Sequence, residues 1–121
     1  MLDRFVRYWL PVLGYVTLIV VLSAQPGLKP PGNIKEMDKV AHILEYFFLG
    51  VLLARAWTAT LPPARMMMPI VFAMITGVLI GSGDEYFQSF IPQRDSSVYD
   101  LIADSVGLLI AQVTYLFMRK D

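Results

Sequence analysis

No cysteine occurs in the 121 residues, which excludes disulfides, thiolate metal sites and cysteine nucleophiles. Charge is scarce. Asp, Glu, Lys and Arg make up 17% of the chain, ten acids balance ten bases, and no basic run exists. A nucleic-acid ligand needs a concentrated positive surface, so that class is dropped. Histidine occurs once, as His42, the single side chain with an ordinary pKa near neutrality. Internal repeats, coiled-coil heptads and low-complexity tracts are missing as well, which points to one domain spanning 1–121.

What remains is apolar. Hydrophobic residues make up 56% of the chain and mean hydropathy is +0.57, well above ordinary soluble domains, so a polytopic membrane protein is expected. A helix crosses a hydrocarbon core of roughly 30 Å at ~1.5 Å per residue. Four stretches qualify, at about 5–24, 38–57, 66–90 and 97–118. The first follows Arg4 and Arg7 as a signal peptide would. It is long for such a segment, though, and Leu22-Ser23-Ala24 is a poor cleavage site, so a retained helix is expected. Pro26, Pro30, Pro31 and Gly32 break the chain after it, and Pro62 and Pro63 break it after the second. Asp38 reads as an N-cap, and Ser97 with Asp100 reads as a capping box.

The short connectors favour an all-α, up-down-up-down four-helix bundle in the lipid bilayer. Arg4, Arg7, Arg55, Arg65, Arg119 and Lys120 then share one side, against Lys29, Lys35, Lys39 and Arg94. The positive-inside rule places both termini in the cytoplasm. Tyr8, Trp9 and Trp57 read as interfacial anchors on that side, and Met66, Met67 and Met68 as lipid-facing or packing residues rather than a copper site.

Against this apolar background the ionisable residues stand out, because a charge inside a membrane helix costs roughly 2.5–3.5 kcal/mol on insertion scales. Asp38, His42 and Glu45 lie within about 60° of one another on the second helix. Asp84 and Gln88 share a face of the third helix that continues as Gly81, Gly77 and Ala73. Asp100 and Asp104 share a face of the fourth with Gly107 and Ala111. Small residues at four-residue spacing permit close helix approach in lipid. The third and fourth helices are therefore expected to pack through Ala73, Gly77 and Gly81 against Ala103, Gly107 and Ala111. A monomer is favoured, with a homodimer through the same glycines as the alternative. Glu85, about 100° round from Asp84, reads as facing headgroups or water.

These residues together resemble the VanZ-like family of small bacterial membrane proteins. The resemblance rests on Ser23-x-Gln25-Pro26, Asp38-Lys39-x-x-His42-x-x-Glu45-Tyr46, Asp84-Glu85-x-x-Gln88-x-Phe90-x-Pro92-x-Arg94 and Asp100-x-x-x-Asp104-x-x-Gly107, and covers nearly the whole chain. Gln93 departs from an expected glycine, and Asp104 stands where asparagine is common. The resemblance implies a multi-pass protein of the bacterial cytoplasmic membrane and cell envelope, whose namesake is linked to low-level teicoplanin resistance. It supplies no established catalytic residue.

The expected site gathers His42, Glu45, Asp84 and Asp104 as candidate acid, base or catalytic groups, with Gln88, Arg94 and Asp100 at its mouth as substrate-binding residues. Its ligand would be an amphiphilic or lipid-linked envelope molecule. So many carboxylates must share protons, pair with Arg94 or Lys39, or hold a cation. Proton sharing and pairing are favoured over a cofactor, with a divalent ion such as Mn²⁺ or Zn²⁺ as the alternative. A shielding protein without chemistry is the competing function. Proton or cation transfer ranks last, because the far halves of the third and fourth helices offer only Thr76, Gln112 and Thr114.

Overall fold

The computed structural model describes residues 2–24, 35–63, 67–92 and 97–118, with side chains from Lys39 onward in the second stretch. Among these residues there are five helices and no strand: α1 (Leu2–Tyr8), α2 (Leu10–Ser23), α3 (Lys35–Thr60), α4 (Met68–Gln88) and α5 (Val98–Met118). Trp9 separates α1 from α2 because Pro11 has no N–H for the Arg7 carbonyl. The backbone bonds on either side persist, Trp9 N to Phe5 O at 2.7 Å and Leu13 N to Trp9 O at 3.0 Å. The two helices therefore form one span, Leu2–Ser23. With Lys39–Thr60, Met68–Gln88 and Val98–Met118 it makes four helices long and apolar enough to cross a membrane.

Each terminus has a local cause. α3 starts at Lys35, so Asp38 lies inside its first turn and does not cap it. The helix runs on to Thr60 and stops ahead of Pro62, as the constraint on residues preceding proline requires. Pro69 sits in the first turn of α4, where its missing donor is harmless. α4 closes in tighter turns, Phe90 N to Phe87 O at 3.1 Å and Ile91 N to Gln88 O at 3.0 Å. At the start of α5 the Ser97 hydroxyl accepts the Tyr99 N–H at 3.0 Å, an N-cap bond to the second helical residue in place of the third that one half of the expected capping box uses. The other half is replaced, because Ser97 N–H donates to Glu85 Oε1 at 3.1 Å while Asp100 pairs with Lys39.

α3 is the central element. Its Tyr46, Leu49, Leu53 and Ala54 are fully buried, against Val12 and Ile19 of α2, Ala73 of α4 and Leu108 of α5. The closest approach is between α3 and α5. A Cβ on Gly107 would collide with the Ile43 carbonyl oxygen and lie 3.0 Å from Phe47 N, and one on Gly50 would lie 2.6 Å from Ala111 Cβ. Contacts advance together along both helices, from Lys39 on Asp100 through His42 on Asp104 to Gln112 Nε2 donating to Gly50 O at 3.1 Å, so α3 and α5 run parallel.

The expected pairing of small residues therefore changes. Gly107 and Ala111 pack on α3, and Gly50 is their unforeseen partner. The α4 stripe does face α5, but it receives large side chains: Gly77 meets the Leu108 methyls, and Gly81 meets Leu101, Asp104 and Tyr46. A small-residue stripe marks a groove without specifying which helix fills it.

At the end away from His42, Trp9 and Trp57 cross edge to face with ring centroids 5.0 Å apart, and Trp57 meets Phe72 at 4.9 Å. Their indoles donate to Thr60 at 2.7 Å and Thr76 at 3.0 Å. Arg55 lies 4.7 Å from the Tyr8 ring centroid. These tryptophans thus tie α2, α3 and α4 together. The outward faces carry Leu13, Leu44, Phe48, Ile75, Leu79, Leu109 and Phe117, an apolar exposure that suits lipid rather than water.

At Gly14 and Gly83 an added Cβ would have nothing within 4 Å. Gly14→Ala and Gly83→Ala should therefore stabilise the fold, each by roughly 0.5–1 kcal/mol from reduced backbone freedom. Thermal unfolding in detergent, followed by circular dichroism, will show the midpoint unchanged or raised; a lowered midpoint would contradict the open surroundings of both positions.

Candidate functional site: a buried polar cluster at one end of the bundle

Three helix ends meet on the side opposite the tryptophans. The first turns of the α3 span bring Lys39 and His42, the last turns of α4 bring Asp84, Glu85 and Gln88, and the first turns of α5 bring Asp100 and Asp104. Asp84, Glu85, Gln88, Asp100 and Asp104 are all buried, and Asp104 is 0% exposed. Ser23, the last residue of α2, completes the wall.

His42 and Asp104 form the inner pair. Nδ1 of the imidazole lies 2.7 Å from Asp104 Oδ1. An ionised carboxylate only accepts, so Nδ1 carries the proton in this pair and a neutral ring keeps its lone pair on Nε2. Nε2 turns toward Asp100 Oδ2, 3.9 Å away. The other Asp100 oxygen takes the Lys39 ammonium. Glu85 reaches the same place from α4: one ligand atom each from His42, Glu85 and Asp100 lie within 4.8 Å of one another. Gln88 Nε2 donates to Ser23 Oγ at 3.1 Å and stands 3.5 Å from Asp84 Oδ2, tying the end of α2 to α4.

Two further details shape the cluster. Gly81 lets the chain pass close beneath it, since a Cβ there would lie 3.2 Å from Asp104 Oδ2 and 3.4 Å from Tyr46 Cε2. Among the described residues, Tyr46 Oη and Asp104 Oδ2 are buried without a hydrogen-bond partner. A buried polar atom left unsatisfied costs about 1–3 kcal/mol, so these two need an explanation.

Of the residues singled out by sequence, His42, Asp84, Gln88, Asp100 and Asp104 lie at this end. Glu45 is half-buried one turn deeper, at the contact with α2, where Tyr15 Oη donates to its carbonyl at 2.7 Å; it is not in the three-residue group. Arg94 and the Asp38 side chain lie outside the described residues. Glu85 corrects the expectation of a headgroup-facing carboxylate: it is 7% exposed. The start of α5 draws it inward, because the free N–H groups and positive dipole end of a helix attract a carboxylate. Proximity of Glu85 to the sequence entering α5 was the available signal.

A protein of Schizosaccharomyces pombe (strain 972), described only as uncharacterised, is 27% identical over 109 residues, covering 90% of this chain; the chain spans 65% of that relative's length. No solved structure matches. The family model for VanZ/LLP1 matches residues 5–119, almost the whole chain and all the helices that build the cluster, and the chain belongs to the VanZ/LLP1 family.

Proposed function

We propose that the cluster is the working site of a multi-pass membrane protein of the cell envelope, and that it engages the polar head of an amphiphilic or lipid-linked envelope molecule. The observation that carries this reading is the fully buried Asp104 hydrogen-bonded to His42 inside an apolar bundle. Such groups are expensive in a membrane and usually mark a working site. The lysine and arginine count turns this end away from the cytoplasm, toward the outer leaflet where such a substrate would be met. In this reading His42 and Asp104 form an acid–base unit, Asp84 and Glu85 flank it, and Gln88 and Asp100, with Arg94, contact the ligand's polar groups. The VanZ name links the family to glycopeptide resistance, and teicoplanin, itself amphiphilic, is the first compound to test.

The test is expression in a glycopeptide-sensitive bacterium, with teicoplanin resistance and membrane abundance measured together. His42→Ala and Glu85→Gln should abolish the resistance increment at normal abundance, whereas Glu45→Gln should keep it. Resistance retained in His42→Ala and Glu85→Gln would replace chemistry with shielding. An absent increment in the wild-type chain would remove the resistance link.

A further inference from the structure

We propose that His42 Nε2, a Glu85 carboxylate oxygen and Asp100 Oδ2 bind one divalent first-row cation, Zn²⁺ or Mn²⁺, with Asp104 holding the imidazole from behind. This deepens the function proposed above and rests on its reading of the cluster as the working site, with His42 acting as a ligand in place of its acid–base role.

One ligand atom each from His42, Glu85 and Asp100, on three different helices, lies within 4.8 Å of the others. Two ligands about 2.1 Å from a shared ion stand at most about 4.2 Å apart. The 3.9 Å between His42 Nε2 and Asp100 Oδ2 already satisfies this limit. The widest pair allowed by the 4.8 Å bound must close by roughly 0.6 Å, which side-chain rotation supplies.

Asp104 gives the imidazole the support that metal-binding histidines characteristically have. A carboxylate on Nδ1–H fixes the tautomer, orients the ring and raises the basicity of Nε2. Lys39 on the outer oxygen of Asp100 orients that carboxylate in the same way.

Charge points in the same direction. Four carboxylates, Asp84, Glu85, Asp100 and Asp104, meet at this end, and Lys39 is the permanent cation bonded into it among the described residues. A divalent ion would add two positive charges where these carboxylates converge. The donor set also selects the ion. Two carboxylate oxygens and one imidazole suit Zn²⁺ or Mn²⁺, whereas Mg²⁺ favours oxygen and water.

A separate observation concerns the inner wall. Asp104 Oδ2 and Tyr46 Oη belong to side chains 0% exposed, and both lack a hydrogen-bond partner among the described residues. The position a Cβ would take on Gly81 lies within 3.4 Å of both the Tyr46 ring and Asp104 Oδ2, so the two side chains border the same small volume. A three-ligand site leaves a coordination position for water. A separate buried water beside Gly81, behind the imidazole and not on the ion, would donate to Asp104 Oδ2 and accept from Tyr46 Oη, satisfying both atoms.

The experiment uses the full chain purified in detergent, stripped with chelator and titrated with Zn²⁺ or Mn²⁺ alone. One equivalent per chain is expected by elemental analysis after dialysis. Metal should raise the thermal midpoint of the wild type by mass action. Glu85→Gln is the principal variant, because its amide oxygen still accepts the Ser97 N–H and preserves the start of α5. It should stay helical and monodisperse, retain no stoichiometric metal and lose the metal-induced stabilisation. His42→Ala should behave likewise, Asp104→Asn should weaken affinity roughly 10–100-fold, and Asp3→Asn in α1 should change nothing. No saturable binding in the wild type, or binding untouched by both Glu85→Gln and His42→Ala, overturns the metal site. A metal-free wild type whose teicoplanin resistance still depends on His42 overturns the metal alone. A metal-loaded wild type whose resistance ignores His42 supports the metal and overturns the proposed function.

Discussion

Gly107→Leu will prevent the four spans from assembling, and Gly107→Ala will already lower the thermal midpoint in detergent more than alanine at any other helical glycine. The reason is the kind of atom a new Cβ would meet. At Gly107 it runs into the Ile43 carbonyl oxygen and Phe47 N, both main-chain atoms of α3. Helix backbones cannot rotate aside as side chains do, so α3 and α5 must separate along their whole parallel contact. Overpacking of this kind costs about 1–3 kcal/mol for one added methyl, and a leucine exceeds that range. Gly50→Ala comes next, against Ala111 Cβ at 2.6 Å and Leu108 Cα at 3.3 Å. Gly77→Ala follows, because its obstacle is the flexible end of Leu108. Separation also strains the bond between Lys39 and Asp100 and the pair of His42 with Asp104, so loss of packing should remove the polar cluster too. Equal midpoints for Gly107→Ala and Gly14→Ala would show that α3 and α5 do not approach through Gly107.

The second large effect is expected at the inner pair. His42→Leu removes the partner of a carboxylate that is 0% exposed. Breaking a buried pair from one side costs about 3–5 kcal/mol, since the remaining charge is left uncompensated. Asp104→Asn should be far milder, because the amide oxygen still accepts the Nδ1–H. The double variant His42→Leu/Asp104→Leu should recover much of the stability lost in the single His42→Leu, the signature of a coupled pair. His42→Leu, Asp104→Leu, the double variant and the wild type can be compared by reversible unfolding in mixed micelles. If the double variant loses the sum of the two single losses, the pair is not coupled and the geometry at His42 Nδ1 is wrong.

Different physical constraints made different parts of this molecule legible. The spans were readable because a bilayer forces every backbone group into helical bonds over some 20 apolar residues, a local requirement written along the chain. Pro11, Pro62 and Pro69 act locally as well, and the helix limits follow them. His42 and Asp104 were recognisable as unusual because the cost of an ionisable group in lipid depends on its own position. Glu85 was misjudged for the opposite reason. Its angle on α4 is a property of α4 alone, whereas its burial depends on the first N–H groups of α5, an element whose placement the angle does not contain.

Glycine shows the same division. Sequence identified Gly77, Gly81 and Gly107 as surfaces of close approach, because the absence of a side chain is a local fact. Which surface lies opposite is settled by three-dimensional packing, and there Gly107 meets the backbone of α3 while Gly77 receives Leu108. Gly50 heads a small-residue stripe with Ala54 and Thr58 at four-residue spacing, but that local pattern does not say which helix fills it. By itself, then, the sequence determined a four-span helical membrane protein with costly polar residues near one set of helix ends. Tertiary structure decided that α3 and α5 lie in tightest contact and that His42, Glu85 and Asp100 converge while the Glu45 backbone carbonyl takes Tyr15 of α2, because groups distant in sequence become neighbours only once whole helices have chosen their partners.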